Sequence, residues 1–200
     1  MIPPREIGLS ARRPDPGADA IGDPELLRAI AAGDLGALGT AYDRHGEGVR
    51  RFLVRAGAGS DADDLVHETF LATMSAARGY DGRASARPLL LGIAARLLKG
   101  RRRTLARWAR AAVAWVEVFP TATSRTPEDA ASTTEEIAAF DRALDRLPED
   151  KRVVFLLSEA EGLSGEDIAA ALGIPAATVW TRLHYARAAL RAELAKVRVR

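Results

Sequence analysis

The run LDRLPEDKRVVFLLSEAEGLSGEDIAAALGIPAATVWTRLHYARAALRAEL, residues 144–194, decides the fold: it reads as two helices leading into a helix-turn-helix. Leu147-Pro148-Glu149 ends one helical pattern and begins another, because proline lacks the N–H that a helix interior needs and a first turn does not. The next helix carries Val153, Val154, Phe155, Leu156 and Leu157 and is expected to close near Glu161-Gly162. Ser164 then stands as an N-cap, with Asp167 three residues on approximating a capping box. Ile168, Ala169 and Leu172 share one face of the short helix that follows. Gly173 sits where a chain needing positive φ would turn, Ile174 anchors that turn in the core, and Pro175 opens the last helix.

That last helix has two faces. Val179, Leu183, Ala186 and Leu190 recur at helical spacing as an inward stripe, while Ala176, Ala177, Trp180, Thr181, His184, Arg187 and Arg191 look outward. The small Ala176 and Ala177 would let backbone amides come close to a phosphate. Two readings of Trp180 are open: it packs on a neighbouring helix, or it enters a major groove beside Thr181, His184 and Arg187. A helix-turn-helix is also common as plain core architecture. Charge adds a second signal, since residues 175–200 hold six bases (Arg182, Arg187, Arg191, Lys196, Arg198 and Arg200) against the single acid Glu193. A helix-turn-helix followed by a basic tail has the character of a nucleic-acid surface.

The chain has 200 residues, 48% of them hydrophobic, enough for one compact domain or two small ones. Its formal charge of +2 is small, so the distribution of charge carries more meaning than the total. There is no cysteine, which removes disulfides, thiolate metal sites and a cysteine nucleophile and agrees with a reducing compartment. No run is expected to span or insert into a membrane, and no signal peptide is expected at the N-terminus. Ala, Leu and Arg dominate without strand-like alternation, so the expected fold class is all-α.

Residues 1–22, with Pro3, Pro4, Pro14 and Pro16 among their glycines, read as a flexible leader. Order is expected from Asp23-Pro24, with Asp23 as N-cap of a helix lined by Leu26, Leu27 and Ile30. A second helix over about 35–56 carries Leu38, Tyr42, Val49, Phe52 and Leu53. Gly36, Gly39, Gly46 and Gly48 each weaken it by roughly 1 kcal/mol relative to Ala, so tertiary packing must hold it. A third helix begins at Ser60 or Asp61 and reads DADDLVHETFLATM over 61–74. Leu65, Val66, Phe70 and Leu71 are its expected apolar contacts; Asp61, Asp64, His67 and Glu68 form a polar face. That face is either solvated or a docking surface. A metal or acid–base site would need convergence, which the adjacent His67 and Glu68 lack.

The loop at 77–85 contains Tyr80 and Arg83, and Tyr80 has an ordinary reading as a loop-anchoring aromatic. The following helix, from Arg87 to about Arg110, holds Arg96, Lys99, Arg101, Arg102, Arg103, Arg107 and Arg110 with no acid in that stretch. Such a run is a solvated face or a phosphate-binding one; the latter would supply affinity and salt dependence without sequence choice. Beyond it, Trp108, Val113, Trp115, Val116, Val118 and Phe119 are more apolar than a spacer needs, and 120–134 has linker composition.

Residues 147–194 resemble region 4 of the extracytoplasmic-function group of bacterial sigma-70-family sigma factors. Residues 24–103 resemble region 2 of the same family, most clearly at DADDLVHETFLATM. The resemblance implies two small helical domains joined by a linker: leader 1–22, region 2-like domain 23–110, linker 111–138 and region 4-like domain 139–200. It implies that Ala176, Ala177, Thr178, Trp180, Thr181, Arg182, His184 and Arg187 lie where region 4 meets a duplex −35 element. It gives Asp61, Asp64, Leu65 and Glu68 the role of binding core RNA polymerase. Tyr80, Arg83, Arg96, Lys99, Arg101, Arg102 and Arg103 fall where region 2 holds single-stranded −10 DNA. The pattern departs from the family near Ala86 and Leu89, where aromatics are usual, and at Trp180, where a basic or small polar residue is.

The expected function is therefore an RNA polymerase sigma factor, cytoplasmic, that recruits core polymerase to −35/−10 promoter DNA and initiates transcription, with an anti-sigma factor as a candidate partner. The alternative is a stand-alone helix-turn-helix repressor or activator, which would leave the acidic helix and the basic tract unused. No enzyme activity, cofactor or metal is expected: there is no phosphate-binding Gly-rich loop, no metal-ligand spacing and no nucleophile with a placed base.

Overall fold

The computed structural model describes residues 21–79, 85–113 and 135–198. Among them the chain forms eight α-helices and no strand. Helices α1 (Asp23–Ala31), α2 (Leu35–Ala56), α3 (Ala62–Ala76) and α4 (Ala86–Val113) make the first unit. Helices α5 (Glu135–Arg146), α6 (Glu149–Phe155), α7 (Gly165–Leu172) and α8 (Ala176–Arg198) make the second. Short 3-10 turns precede and follow α3, and α6 runs on into a wider π turn at Leu156–Ala160. The leader before residue 21 and the central part of the expected linker, 114–134, lie outside the described residues.

In the first unit α3 packs against both α2 and α4, and α1 lies across α2. Leu26, Leu27, Ile30, Phe52, Leu53, Leu65, Leu90, Leu91 and Leu98 are all fully buried there. Each such side chain contributes about 1.5–3 kcal/mol by leaving water, which is how α2 survives four glycines. Leu90, Leu91 and Ile93 of α4 are buried, although no aromatic stands near Ala86 and Leu89.

Asp23 departs from the expected role. Gly22 is the N-cap of α1 and makes no side-chain cap bond, while Asp23 is already in the first turn. Its carboxylate turns instead to α4, accepting the Ala86 N–H at 2.8 Å and bonding Arg44 at 2.9 Å and His45 at 3.1 Å. One aspartate thus satisfies an otherwise orphaned amide at the start of a helix 63 residues away. Burial is the largest influence on this carboxyl and works to raise its pKa. The Ala86 N–H, His45 and Arg44 together outweigh it, and hold the carboxyl below its ordinary value of 3.8.

The second unit matches the expected caps. Ser164 Oγ accepts the Asp167 N–H at 3.1 Å, and its own hydroxyl donates to the Asp167 carboxylate at 2.7 Å. Gly173 adopts φ 65°, a left-handed turn that most side chains resist, and its N–H together with that of Ile174 closes the end of α7. Val179, Leu183, Ala186 and Leu190 are buried against α5, α6 and α7, as the stripe requires. The two units also pack on each other, chiefly through α4 and α7, so that buried side chains from α1 to α8 form one connected cluster.

Candidate nucleic-acid interface

On α8 the inward stripe forces the opposite side outward. Ala176, Ala177, Trp180, Thr181, His184 and Arg187 are all exposed; Thr178 and Arg182 are half-buried at the margins of that face. The Thr181 hydroxyl donates back to the Ala177 carbonyl at 2.8 Å. Arg187 is drawn toward the π turn by Glu159, at 2.5 and 3.1 Å, and Arg182 toward Asp150 at 3.2 Å. The Arg187 pair is solvated, so competition from a phosphate or a base edge costs little there.

Trp180 packs on a neighbouring helix and still remains accessible. It is 58% exposed, yet its ring lies across the first turn of α7, where a Cβ on Gly165 would come within 2.8 Å of it. The indole therefore joins the two helices of the helix-turn-helix on one face and presents an apolar surface on the other. Tyr185 is a neighbour that the periodicity did not single out: it is exposed beside His184, with Lys151 Nζ 5.3 Å above its ring. Its position four residues after Thr181 was the available signal.

The basic tract of α4 is arranged differently. Arg96 donates to the Ala171 carbonyl at the end of α7. Arg101 pairs with Glu68 and lies 3.8 Å from Asp61, both on the α3 side. Arg102 bonds Glu149 of α6 at 3.0 Å and the Gly57 carbonyl at 2.5 Å, closing the C-terminal end of α2. Lys99 and Arg103 are exposed and make no ion pair among the described residues. Tyr80 and Arg83 lie outside the described residues, as do the side chains of Arg107 and Arg110.

On α3, Asp64 and His67 are exposed and Glu68 is half-buried. The His67 ring sits 2.8 Å from the Asp63 carbonyl and 5.7 Å from the Tyr42 ring, an ordinary surface arrangement. Two leucines correct the expected docking face and core, although Leu65 is the apolar contact its spacing requires. Leu65 is fully buried between the helices of the first unit and cannot join a docking face, whereas Leu71, expected in the core, is 65% exposed. The spacing explains it: 64, 68 and 71 follow one helical stripe, and 65 belongs to the neighbouring one. The accessible face is Asp64, His67, Glu68 and Leu71.

Among the described residues no group of His, Cys, Asp and Glu is arranged to hold a metal ion, and no helix is long and apolar enough to cross a membrane.

Comparison with known proteins places these faces in context. The Sigma-70 region 2 family model matches residues 41–109, and the Sigma-70, region 4 model matches 137–190. The extracytoplasmic-function RNA polymerase sigma factor SigL of Mycobacterium tuberculosis is 34% identical over 181 residues, covering 86% of this chain and 97% of SigL. The RNA polymerase sigma factor NccH of Alcaligenes xylosoxydans xylosoxydans is 31% identical over 175 residues, covering 86% of this chain and 94% of NccH. Among solved structures, CnrH bound to the cytosolic domain of CnrY is 26% identical with a TM-score of 0.60, covering 87% of this chain and 97% of CnrH. The sigma factor RpoE of Bartonella quintana, in complex with the anti-sigma factor NepR, has a TM-score of 0.64 at 24% identity. It covers 80% of this chain and 96% of RpoE, a likeness of fold.

Proposed function

We propose that this chain, which belongs to the extracytoplasmic-function group of bacterial sigma-70-family sigma factors, acts through two separate surfaces brought to promoter DNA by core RNA polymerase. It is an RNA polymerase sigma factor that recruits core polymerase to −35/−10 promoter elements for initiation. The observation that carries the two-surface reading is the order of parts. A region 2 match holding an acidic, partly apolar face on α3 precedes a region 4 match holding an exposed polar and aromatic face on α8.

In this reading Asp64, Glu68 and the exposed Leu71 dock on core polymerase, with Asp61 at the edge. Trp180, Thr181, His184 and Arg187 face the major groove of a duplex −35 element, while Ala176, Ala177 and Thr178 bring the helix N-terminus near a phosphate. Lys99, Arg103 and the other bases of α4 supply phosphate contact to −10 DNA, together with Tyr80 and Arg83. The division into leader, region 2-like domain, linker and region 4-like domain at residues 22, 110 and 138 belongs to the same proposal. So do a cytoplasmic location and an anti-sigma protein as regulator. The chain makes and breaks no covalent bond itself.

Run-off transcription from a promoter library tests the reading. Defined start sites are expected only when the protein and core polymerase are both present. Tight duplex binding without polymerase, and no defined start with it, would instead identify a stand-alone regulator. Reversing both Asp64 and Glu68 to Lys is expected to weaken core binding by about tenfold or more, because it sets like charges against the contact, with helicity retained. Unchanged binding would leave Asp64 to the solvent and Glu68 to its pair with Arg101.

A further inference from the structure

We propose that Trp180 is a specificity-determining residue that reads thymine: its indole meets the C5-methyl group of a pyrimidine in the major groove of the −35 element. The inference rests on the sigma-factor reading and names the feature of the duplex that this face selects. A helix-turn-helix places the N-terminal residues of its last helix on base edges. In α8 those are residues 176–182, and they include no Asn, Gln, Lys, Asp or Glu. Their one arginine, Arg182, is half-buried and 3.2 Å from the Asp150 carboxylate. The Thr181 hydroxyl donates its hydrogen bond to the Ala177 carbonyl. The side chains that read guanine or adenine through paired hydrogen bonds are therefore absent from the head of this helix or already engaged there.

What the head of α8 presents instead is hydrocarbon. Ala176, Ala177 and Trp180 are exposed, and Trp180 keeps 58% of its surface accessible. Its ring is braced: an ideal Cβ at Gly165 would stand 2.8, 3.1 and 3.3 Å from Cζ2, Cε2 and Cη2. Only a residue without a side chain at the start of α7 lets the indole lie so close. One part of the ring is thus fixed against α7 and the rest meets solvent, so that little side-chain freedom is left to lose on binding. This apolar surface is matched by one feature of the groove. Among the four bases only thymine carries a methyl group there, and apolar side chains are what recognise it. The polar side chains of the same stripe, His184 and Arg187, follow one and two turns later, and Arg187 is paired with Glu159.

Methyl-group replacement in the DNA tests this with the full-length protein and core polymerase. A −35 element is selected from a randomised promoter library, and each thymine of either strand is replaced in turn by deoxyuridine, which lacks only the methyl group. Competition between the two promoters for initiation gives their ratio. At one thymine the loss is expected to be about fourfold, which is what burying one methyl-sized group contributes. At that position 5-methylcytosine is expected to exceed cytosine by a similar factor. In Trp180→Ala both preferences are expected to vanish, methylated and unmethylated promoters being used alike. Gly165→Ala, which displaces the ring and leaves the sequence of α8 intact, is expected to reduce them. A ratio between duplexes that differ in one methyl group does not respond to a loss of stability that weakens both.

An element selected without thymine in either strand, or equal use of thymine and deoxyuridine at every position, overturns the proposal. So does a methyl preference that persists unchanged in Trp180→Ala, which would assign the reading to another side chain. If Trp180→Ala does not fold, Gly165→Ala decides: a reduced methyl preference supports the proposal, and an unchanged one overturns it. Should core polymerase give no defined start from the library, the sigma-factor reading fails. The same thymine and deoxyuridine comparison is then made by competition binding on the duplex that the protein selects alone, and the same ratios support or overturn the reading of thymine.

Discussion

Helices α8 and α4 both carry bases expected to meet DNA, and they hold them in opposite states. The outward face of α8 is free to approach a groove: Trp180, Thr181 and His184 are exposed, and Arg187 is tied only by a solvated pair with Glu159. On α4, Arg96, Arg101 and Arg102 are each held by an acceptor from another helix, leaving Lys99 and Arg103 exposed. The difference follows from packing. A helix-turn-helix buries one side of its last helix and leaves the other to solvent. The long helix α4 is surrounded by α2, α3 and α7, so its arginines meet carboxylates and helix-end carbonyls before they can meet a phosphate. One face is open to solvent, and on the other three of the bases are engaged by neighbouring helices.

The largest effect that would sharpen this comparison belongs to α8. Arg187→Ala or Trp180→Ala is expected to change preference among −35 sequences by roughly 1–3 kcal/mol for each base edge that the side chain reads directly. Selection from a randomised −35 library measures it. A uniform weakening across all sequences would mean that this face grips phosphates and reads nothing. Because Trp180 also lies across Gly165, its replacement is expected to lower the melting temperature as well, whereas Arg187→Ala is not.

A smaller effect concerns the start of α4. Asp23→Ala removes the acceptor for the Ala86 N–H and the partner of Arg44 and His45, and is expected to cost about 1–2 kcal/mol in urea unfolding at neutral pH. The sign with pH is set by the depressed carboxyl. Its contribution is present above the ordinary value of 3.8 and is lost as pH falls through the lower value of the folded state. The gap between parent and Asp23→Ala should therefore narrow in strong acid. A constant gap from pH 7 to pH 2 would show that the carboxylate charge has no part in it.

The smallest effect tests the exposed bases of α4. Lys99→Ala with Arg103→Ala is expected to weaken open-complex formation alike on all promoters, and to reduce the salt slope by about 1 for each phosphate no longer neutralised. A changed −35 preference in this variant would reverse the division of labour between the two helices.

Much of this arrangement was legible in the amino-acid sequence. Helical periodicity determined the buried stripe Val179, Leu183, Ala186 and Leu190, and the local caps Ser164 and Gly173 set the bounds of α7. Both signals act within a few residues, so spacing alone expresses them. What only the tertiary structure decided was the partner of each polar group. Asp23 caps a helix 63 residues away, and Arg96 reaches a carbonyl 75 residues away. No local pattern encodes those outcomes. They depend on which helices approach which, and a charged side chain takes whichever acceptor the packed backbone brings within hydrogen-bond reach.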